Sequence, residues 1–204
     1  MKYYSQYGQD KFINEILLKY QVLGVFVDVG AYDGIIGSNT YFFEKNMGWD
    51  GICIEPNPEI YKKLTENRKC QCINGCALDK NGQVDFRMIS GYSEMLSGII
   101  HEFDNKHIDR INSENCEYRD IKVDCYDLNE LLINNDVTNI TYMSIDTEGS
   151  EYSIIKNLNL NKIKIKVFSV ENNYNSNEVE IYLKSFNYTK IARIEIDDIY
   201  VKHF

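Results

Sequence analysis

The 204-residue sequence lacks long apolar runs and has few positive charges. Its apolar stretches are well short of the roughly 20 residues that a membrane-spanning helix requires, and MKYYSQYGQD at the N-terminus has no apolar secretory segment. The 22 Lys and Arg residues are outnumbered by 31 Asp and Glu, for a formal net charge of -9. This balance repels phosphate backbones and anionic membranes. We expect a cytoplasmic protein with no nucleic-acid partner and no membrane insertion.

The sequence also lacks the paired cysteine spacing of a zinc site. Cys70, Cys72 and Cys76 lie close together, but they form no CxxC pair and no histidine is nearby. Five of the six cysteines lie in or beside apolar, strand-like runs. We therefore expect reduced, mostly buried thiols rather than disulfides or a metal centre.

Strand and helix patterns alternate along the chain. Short apolar runs predict buried strands at residues 24–30, 51–56, 70–78, 139–146 and 165–172. Helical patterns are found from near Gln9 and at residues 38–47, 58–68, 150–159 and about 176–186. This alternation predicts an α/β fold with a parallel sheet, in a single domain covering residues 1–204. Two β-rich runs around Asp197 and Asp198 leave no room for a crossover helix, which predicts an antiparallel pair.

Residues 91–120 interrupt the alternation. They are polar, aperiodic and long for a connection, which is typical of a functional lid or mobile loop. We expect this segment to be an insertion beside a binding site.

A glycine-rich loop follows the first predicted strand. Gly30, Gly34 and Gly37 are spaced G-x-x-x-G-x-x-G, whereas the dinucleotide fingerprint needs G-x-G-x-x-G to admit a pyrophosphate. Tyr32 stands at the second glycine position, which argues against NAD or FAD. Glu55 ends the second strand about twenty residues later, where an acid accepts hydrogen bonds from ribose hydroxyls. A nucleoside without phosphates fits this pattern, and so does a structural turn with a solvated Glu.

Three motifs occur in order: SQYGQDKFI, DVGAYDGIIGSNTYFFEKNMGWDGICIEPNP and IDTEGSEYSIIKNL. Across roughly residues 5–172 the chain thereby resembles the FkbM-type S-adenosylmethionine-dependent methyltransferases. The resemblance implies the class I methyltransferase fold, which is three-layered and Rossmann-like. Its seven-stranded, mostly parallel sheet has one antiparallel strand near the C-terminus. The implied cofactor is S-adenosylmethionine, and many members methylate hydroxyls of sugars or natural products.

The resemblance also implies how the cofactor is held. Asp28 and Gly30 face its methionine part, and Glu55 binds the ribose hydroxyls. The full implied set is Gln6, Gln9, Asp28, Gly30, Ala31, Tyr32, Ser38, Asn39, Glu55, Cys76, Ala77 and Asp146. Within this set, the strand-ending pair at 76 and 77 borders the adenine, and the two glutamines close over the cofactor carboxylate. Ser38 and Asn39 are candidates for the same carboxylate and equally for helix caps.

The stretch YMSIDTEGSEY places Asp146, Glu148 and Glu151 within six positions. Asp146 ends one predicted strand and Glu171 ends the next, so both belong at the sheet edge where ligands bind. We predict Asp146, Glu148 and Glu171 as catalytic residues, with Glu148 as the base. In the alternative interpretation Glu148 and Glu151 only stabilise the start of a helix.

A cation is a further candidate at this edge. Asp146, Glu171 and Asn172 resemble the divalent-cation site of catechol-type O-methyltransferases, and oxygen ligands suit Mg or Mn. A bound cation lowers the pKa of a hydroxyl, and a nearby acid then takes the proton. The catechol pattern has a lysine where this chain has Gly149. His101 and His107 in the insertion are alternative bases.

Together with the resemblance, these features predict an O-methyltransferase that acts on a sugar hydroxyl of a glycan or glycoconjugate. Residues 91–120 then form an insertion on the acceptor side, where the rings of Tyr92, Phe103 and Tyr118 stack on the sugar or simply anchor the loop. The alternatives are an enzyme for a phenolic or macrolide hydroxyl, and an inactive module that only binds S-adenosylmethionine. RNA methylation would need a basic groove, which this composition does not supply. The chain fits either a whole protein or a module of a larger glycan-assembling protein.

Overall fold

The structure, a computed structural model, describes residues 1–203. The strands in this part of the chain are β1 (Val25–Val29), β2 (Asp50–Glu55), β3 (Gln71–Asn74), β4 (Cys76–Leu78), β5 (Gly82–Ile89), β6 (Gly98–Ile99), β7 (Tyr118–Asp127), β8 (Asn139–Ile145), β9 (Lys164–Glu171), β10 (Tyr188–Ile194) and β11 (Asp197–Lys202). The α-helices are α1 (Gln9–Phe12), α2 (Tyr41–Met47), α3 (Pro58–Asn67), α4 (Asn105–Ser113), α5 (Leu128–Asn134), α6 (Glu151–Asn157) and α7 (Glu178–Lys184). In these residues we find no helix that is long and apolar enough to cross a membrane.

Seven strands form the main sheet, in the order β3-β2-β1-β8-β9-β11-β10. Neighbouring strands from β3 to β9 pair in parallel. Strand β11 runs antiparallel to both β9 and β10. The predicted α/β fold is therefore confirmed, including the seven-stranded sheet with one antiparallel strand and the terminal hairpin.

The central strands are buried on both faces of the sheet. Because successive side chains of a strand point to opposite faces, Phe26 and Val27 of β1 enter different apolar clusters. Phe26 packs with the aromatic side chains of α2 and with Trp49, whereas Val27 packs with branched residues from β2, α5 and α6. This packing fixes the positions of the strand ends, and it therefore also fixes the positions of the polar residues that follow them.

Gly75 divides the single strand that was predicted over residues 70–78. Strand β3 belongs to the main sheet, but β4 pairs with β7 in a second, four-stranded sheet of order β4-β7-β5-β6. At Gly75 the backbone φ is 155°, and a Cβ there would lie 2.7 Å from the carbonyl oxygen of Asp124. Only glycine permits this close approach, so the change of sheet depends on that residue.

Residues 91–120 are more regular than the expected loop. They contain a 3-10 helix (Gly91–Leu96), β6, a second 3-10 turn (Ile100–Glu102), α4 and the start of β7. Ile89, Leu96 and Ile111 form a small apolar cluster that holds α4 against the second sheet. The polar composition of residues 91–120 does not indicate this small core, because only a few apolar side chains form it.

Two helices near the N-terminus differ from the sequence prediction. The first begins at Gln9 as predicted, but residues 13–17 form a π-helical turn, which rotates Ile16 into solvent while Ile13 is buried. The second was predicted over residues 38–47 and begins at Tyr41. Ser38 and Asn39 therefore precede the helix, next to the sheet.

Candidate functional site

A cavity of about 390 Å³ opens where β1, β2, β8 and β9 end. The residues at these ends that line it are Gly30, Glu55, Asp146 and Glu171. Apolar walls come from Ile60 of α3 and from Phe86 and Ile99 of the second sheet. The cavity thus combines a row of acids with flat apolar surfaces, at the edge of the sheet where the sequence places ligands.

Gly30 allows the ends of β1 and β8 to meet. The backbone N–H of Asp146 donates to the carbonyl of Val29 over 3.0 Å, which brings the two strand ends together. Gly30 has a φ of 83°, and a Cβ there would lie 1.7 Å from the carbonyl oxygen of Asp146. The glycine loop is therefore required by the contact between strands as well as by any ligand.

Glu55 presents its carboxylate from the end of β2. Its Oε2 accepts from the backbone N–H of Tyr32 at 3.0 Å, and its Oε1 accepts from that of Asn57 at 2.8 Å. Each oxygen keeps a second lone pair for a ligand hydroxyl. Burial raises the pKa of Glu55 to about 7. The geometry suits a vicinal diol such as that of a ribose.

Tyr32 closes one side of the cavity. Its φ is 49°, and its hydroxyl donates to the carboxylate of Glu94 in the 3-10 helix of residues 91–96. Both residues line the cavity, so this contact draws the insertion over the strand ends. Burial and the adjacent Glu94 raise the pKa of the Tyr32 phenol, which keeps it protonated as the donor.

Three carboxyl groups form a cluster on the other side of the cavity. Asp146, Glu148 and Glu171 each contribute an oxygen atom, and these atoms lie within 4.8 Å of one another. Asn173 donates to Glu171 Oε1 at 2.7 Å, and its nitrogen lies 3.5 Å from Glu148 Oε2. Such close carboxylates repel one another unless they share protons or a cation.

Burial raises the pKa of all three acids. For Asp146 the neighbouring Asp197 adds to this effect, and for Glu171 the neighbouring Asp146 does so. The pKa of Glu148 rises to about 7, mainly through burial, while Arg110 opposes the shift. A carboxyl with a pKa near neutrality takes up and releases a proton under physiological conditions. Glu148 is therefore the member of the cluster best suited to that task.

The family model described as "Methyltransferase FkbM domain" matches residues 28–195. This chain belongs to the FkbM methyltransferase family. The resemblance seen in the sequence motifs is therefore confirmed. No match was found among curated proteins.

Solved structures with similar folds include a methyltransferase FkbM from Methylobacillus flagellatus KT, at 14% sequence identity and a TM-score of 0.61. That match covers 97% of this chain and 48% of the other, so the present chain spans about half the length of its relative. TrmK of M. capricolum, in complex with S-adenosyl-homocysteine, matches at 12% identity and a TM-score of 0.46, covering 95% of this chain and 64% of that one. The human methyltransferase 10 domain containing protein matches at 10% identity and a TM-score of 0.46, covering 100% and 86%.

Seven of the predicted cofactor-binding residues line the cavity at the strand ends. They are Gln6, Gly30, Tyr32, Glu55, Cys76, Ala77 and Asp146. The other five, Gln9, Asp28, Ala31, Ser38 and Asn39, lie behind its wall, and each is buried. Gly30, Tyr32, Glu55 and Asp146 reach the cavity from strand ends, whereas Asp28 lies one step deeper in β1 and residues 38 and 39 precede α2.

The side chain of Asp28 is buried and has partners inside the protein. Its Oδ2 accepts from the hydroxyl of Thr40 at 2.5 Å and lies 4.0 Å from the guanidinium of Arg68. Arg68 also pairs with Glu44. This corrects the expectation that Asp28 faces the cofactor, because the side chain of a central strand residue points between sheet and helix.

Three more residues of the predicted set have internal partners. Ser38 Oγ accepts a hydrogen bond from the backbone N–H of Tyr41 at 3.1 Å. Of the two roles predicted for Ser38, this contact corresponds to capping of α2. Asn39 donates to Ser144 at 3.0 Å, and Gln9 donates to Asp197 at 2.7 Å. These amides order a buried polar layer beneath Asp146 rather than the cavity surface.

Asn172 does not join the carboxyl cluster. Its amide donates to Asp198 at 2.8 Å and to the carbonyl of Ser176 at 2.7 Å, while its Oδ1 accepts from the N–H of Ser176. The structure therefore corrects the predicted ligand set of Asp146, Glu171 and Asn172. Asn173, one position later, is the amide in the cluster, because the chain turns as β9 ends.

Glu151 stabilises the loop that carries Glu148. Its Oε1 accepts from the N–H and the hydroxyl of Thr147, each at 2.8 Å, and from the N–H of Gly149 at 3.1 Å. Glu148 takes a φ of 56° in this loop, and Gly149 one of 129°. The interpretation of Glu151 as structural agrees with these contacts, and the loop aims Glu148 at the cavity.

The insertion supplies two site residues that the sequence did not single out, and it positions His107, one of the two histidines predicted as alternative bases. Glu94 and Arg110 line the FkbM cavity, and His107 is buried beside Glu148. The three predicted aromatic contacts lie elsewhere: Tyr92 is fully exposed, Phe103 packs on His107, and Tyr118 lies under the guanidinium of Arg87. These three contacts were predicted from composition alone, and composition does not show in which direction a ring points.

Proposed function

We propose that this chain is an S-adenosylmethionine-dependent O-methyltransferase for a hydroxyl of a sugar in a glycan or glycoconjugate. The observation that supports it most is the placement of the Asp146, Glu148 and Glu171 cluster in the same cavity as Glu55. At one end of the cavity, Glu55 offers hydrogen-bond acceptors to a ribose. At the other end, the carboxyl cluster offers a proton acceptor to an alcohol.

The cavity residues fit the cofactor. A volume of about 390 Å³ falls in the range of small-molecule sites. Glu55 has free lone pairs for the two ribose hydroxyls, and Ile60, Phe86 and Ile99 offer apolar surface to a flat base. Gly30 and the acids beyond it accommodate an ammonium and a sulfonium charge, and these acids outnumber Arg110, which also lines the cavity.

When bound, S-adenosylmethionine supplies an electrophilic methyl group. The residues of the chain orient the acceptor hydroxyl and remove its proton. Glu148 is the group that takes this proton, because its pKa of about 7 allows it to exchange a proton near neutrality. Asp146 and Glu171 accept hydrogen bonds from neighbouring hydroxyls of the acceptor and so orient it, and Asn173 fixes the orientation of Glu171. Positioning of this kind supplies a large share of the rate enhancement.

A divalent cation is the second candidate role for the cluster. Carboxylate oxygens from Asp146, Glu148 and Glu171 lie close enough to share one ion, and an all-oxygen set suits Mg or Mn. The ion would lower the pKa of the acceptor hydroxyl directly. Turnover that survives chelation by EDTA would favour the proton-acceptor role, whereas turnover that requires added Mg or Mn would favour the cation.

The test of the proposal has two steps. Calorimetry with S-adenosylhomocysteine measures the cofactor site without requiring an acceptor. Transfer of a labelled methyl group is then measured on a panel of neutral glycosides, phenols and macrolides, in the wild type and in Asp146→Asn. We expect binding and transfer to glycosides. Transfer to phenols or macrolides alone would favour the natural-product alternative, and binding without transfer would favour an inactive module.

A further inference from the structure

A second cavity of about 240 Å³ adjoins the first. It lies between α4, the start of α6 and the segment of residues 172–179 that leads into α7. Its lining includes Asp104 and His107 from the α4 side, Tyr152 and Ser153 from α6, and Tyr174.

The two cavities meet at the carboxyl cluster. Glu148, Glu171 and Asn173 line both of them, whereas Glu55 lines only the first. A group in the second cavity therefore reaches the proposed proton acceptor from the side opposite the ribose site. This arrangement suits two reactants that must approach one reacting centre from different directions.

Tyr174 is the clearest sign that the second cavity binds something. Its hydroxyl oxygen is buried and has no hydrogen-bond partner among residues 1–203. A buried hydroxyl without a partner is costly, so a ligand or solvent hydroxyl in the cavity would satisfy it. The ring next to this hydroxyl and the ring of Tyr152 give the cavity apolar surface of the kind that packs on a sugar face.

The charge of the cavity wall is negative. Its lining contains the carboxyl groups of Asp104, Glu148, Glu151, Glu171 and Glu178. Among the described residues, no lysine or arginine lines this cavity. Lys106 lies outside the lining, with its Nζ 5.3 Å from the centre of the Tyr174 ring. Carboxylates accept hydrogen bonds from hydroxyl or ammonium groups and repel other anions.

We propose that the second cavity binds the methyl acceptor and that it selects an uncharged or amino-bearing sugar over an acidic one. The inference rests on the proposed function, because it supposes that the first cavity holds the cofactor. Uronic acids and sugar phosphates are disfavoured by the carboxyl groups of this wall. Neutral and amino sugars donate hydrogen bonds to Asp104, Glu178 and the cluster, and place one hydroxyl beside Glu148.

The test uses ligand-observed NMR on the full chain saturated with S-adenosylhomocysteine. The probes are the methyl glycosides of glucose, galactose and mannose, the matching uronic acids, and glucosamine. Ser176→Trp fills the cavity from an exposed loop position that lies outside the first cavity. Ser113→Trp is the matched control, since Ser113 is also an exposed serine but lies at the end of α4, away from both linings. Tyr174→Phe removes only the unpartnered hydroxyl.

We expect at least one neutral or amino sugar to bind, with every uronic acid at least about ten-fold weaker. Ser176→Trp should weaken that binding about ten-fold or more, Tyr174→Phe should weaken it measurably, and Ser113→Trp should leave it unchanged. The inference is overturned if uronic acids bind equally well, if Ser176→Trp has no effect, or if no sugar binds although S-adenosylhomocysteine does. Failure of S-adenosylhomocysteine itself to bind contradicts the proposed function instead.

Discussion

Nδ1 of His107 lies 3.5 Å from Oε2 of Glu148, inside the protein. Nε2 of the same ring is 3.0 Å from the carbonyl oxygen of Leu96. A carbonyl only accepts hydrogen bonds, so Nε2 carries the proton and Nδ1 presents a lone pair to Glu148. Burial lowers the pKa of His107, and Arg110 adds to this effect while Asp104 opposes it. Helix α4 thus places a neutral acceptor behind the proposed base.

The first prediction concerns this imidazole. Nitrogen NMR of the labelled protein should place the proton of the neutral His107 ring on Nε2, and the signals lost in His107→Asn identify this ring among the three histidines. Because the pKa of His107 is lowered, the ring should stay neutral as the pH is brought down from about 8 to about 6.5. A proton on Nδ1, or a charged ring at neutral pH, would contradict the assignment.

Glu55 provides the second prediction. Glu55→Gln keeps the shape of the side chain but replaces one acceptor oxygen by a donor amide. The affinity for S-adenosylhomocysteine should fall by about 10- to 100-fold, which corresponds to one or two lost hydrogen bonds to a charged group. Glu59→Gln is the control, because Glu59 is exposed and pairs only with the exposed Arg119. Equal affinities in calorimetry would remove Glu55 from the cofactor site.

The third prediction is a dependence of stability on pH. The folded state raises the pKa of Glu148 from 4.5 to about 7, so it binds this proton more tightly than the unfolded chain does. The resulting stability is present below pH 4.5 and is lost as the pH rises through about 7. Glu148→Gln stays neutral at every pH. In urea unfolding it should match the wild type near pH 4.5 and exceed it by about 2 to 3 kcal/mol near pH 8.5.

A pair of glycine substitutions forms the fourth prediction. Gly30→Ala places a Cβ against the carbonyl oxygen of Asp146, and this backbone contact cannot relax without separating β1 from β8. Gly48 also has a positive φ, of 68°, but a Cβ there meets nothing within 4 Å. Gly48→Ala should cost about 1 to 2 kcal/mol from backbone conformation alone. Gly30→Ala should cost clearly more in chemical unfolding; equal losses would argue against the close contact.

The fifth prediction tests the structural role given to Asp28. Arg68→Met leaves the buried Asp28 without its cation and should reduce the free energy of unfolding by about 3 to 5 kcal/mol. The control is Arg87→Met, which removes an exposed ion pair with Asp120 and should cost about 1 kcal/mol or less. Similar losses in both variants would mean that Asp28 does not depend on Arg68.

The sequence predicted those parts of the fold that follow from a regular pattern. Alternating strands and helices gave the parallel sheet, and the polar residue at each strand end gave Glu55, Asp146 and Glu171 as neighbours in one cavity. The predictions that were wrong depend on the conformation of single backbone turns. The turn after β9 exchanges Asn172 for Asn173, and Gly75 divides a strand because of an approach by a distant segment. Sequence spacing does not contain that information.

Gly75 also has a consequence for how this protein diversifies. Strand β4 pairs with β7 and not with the main sheet, so hydrogen-bond register in the four-stranded sheet is independent of the strands that end at Glu55 and Asp146. Loops attached to β5 and β7 are thus free to lengthen or shorten without shifting the strands that present Glu55 and Asp146, provided that Phe86 and Ile99 keep their place in the cavity wall. Related chains would then acquire new acceptors by remodelling these loops while inheriting the main sheet intact.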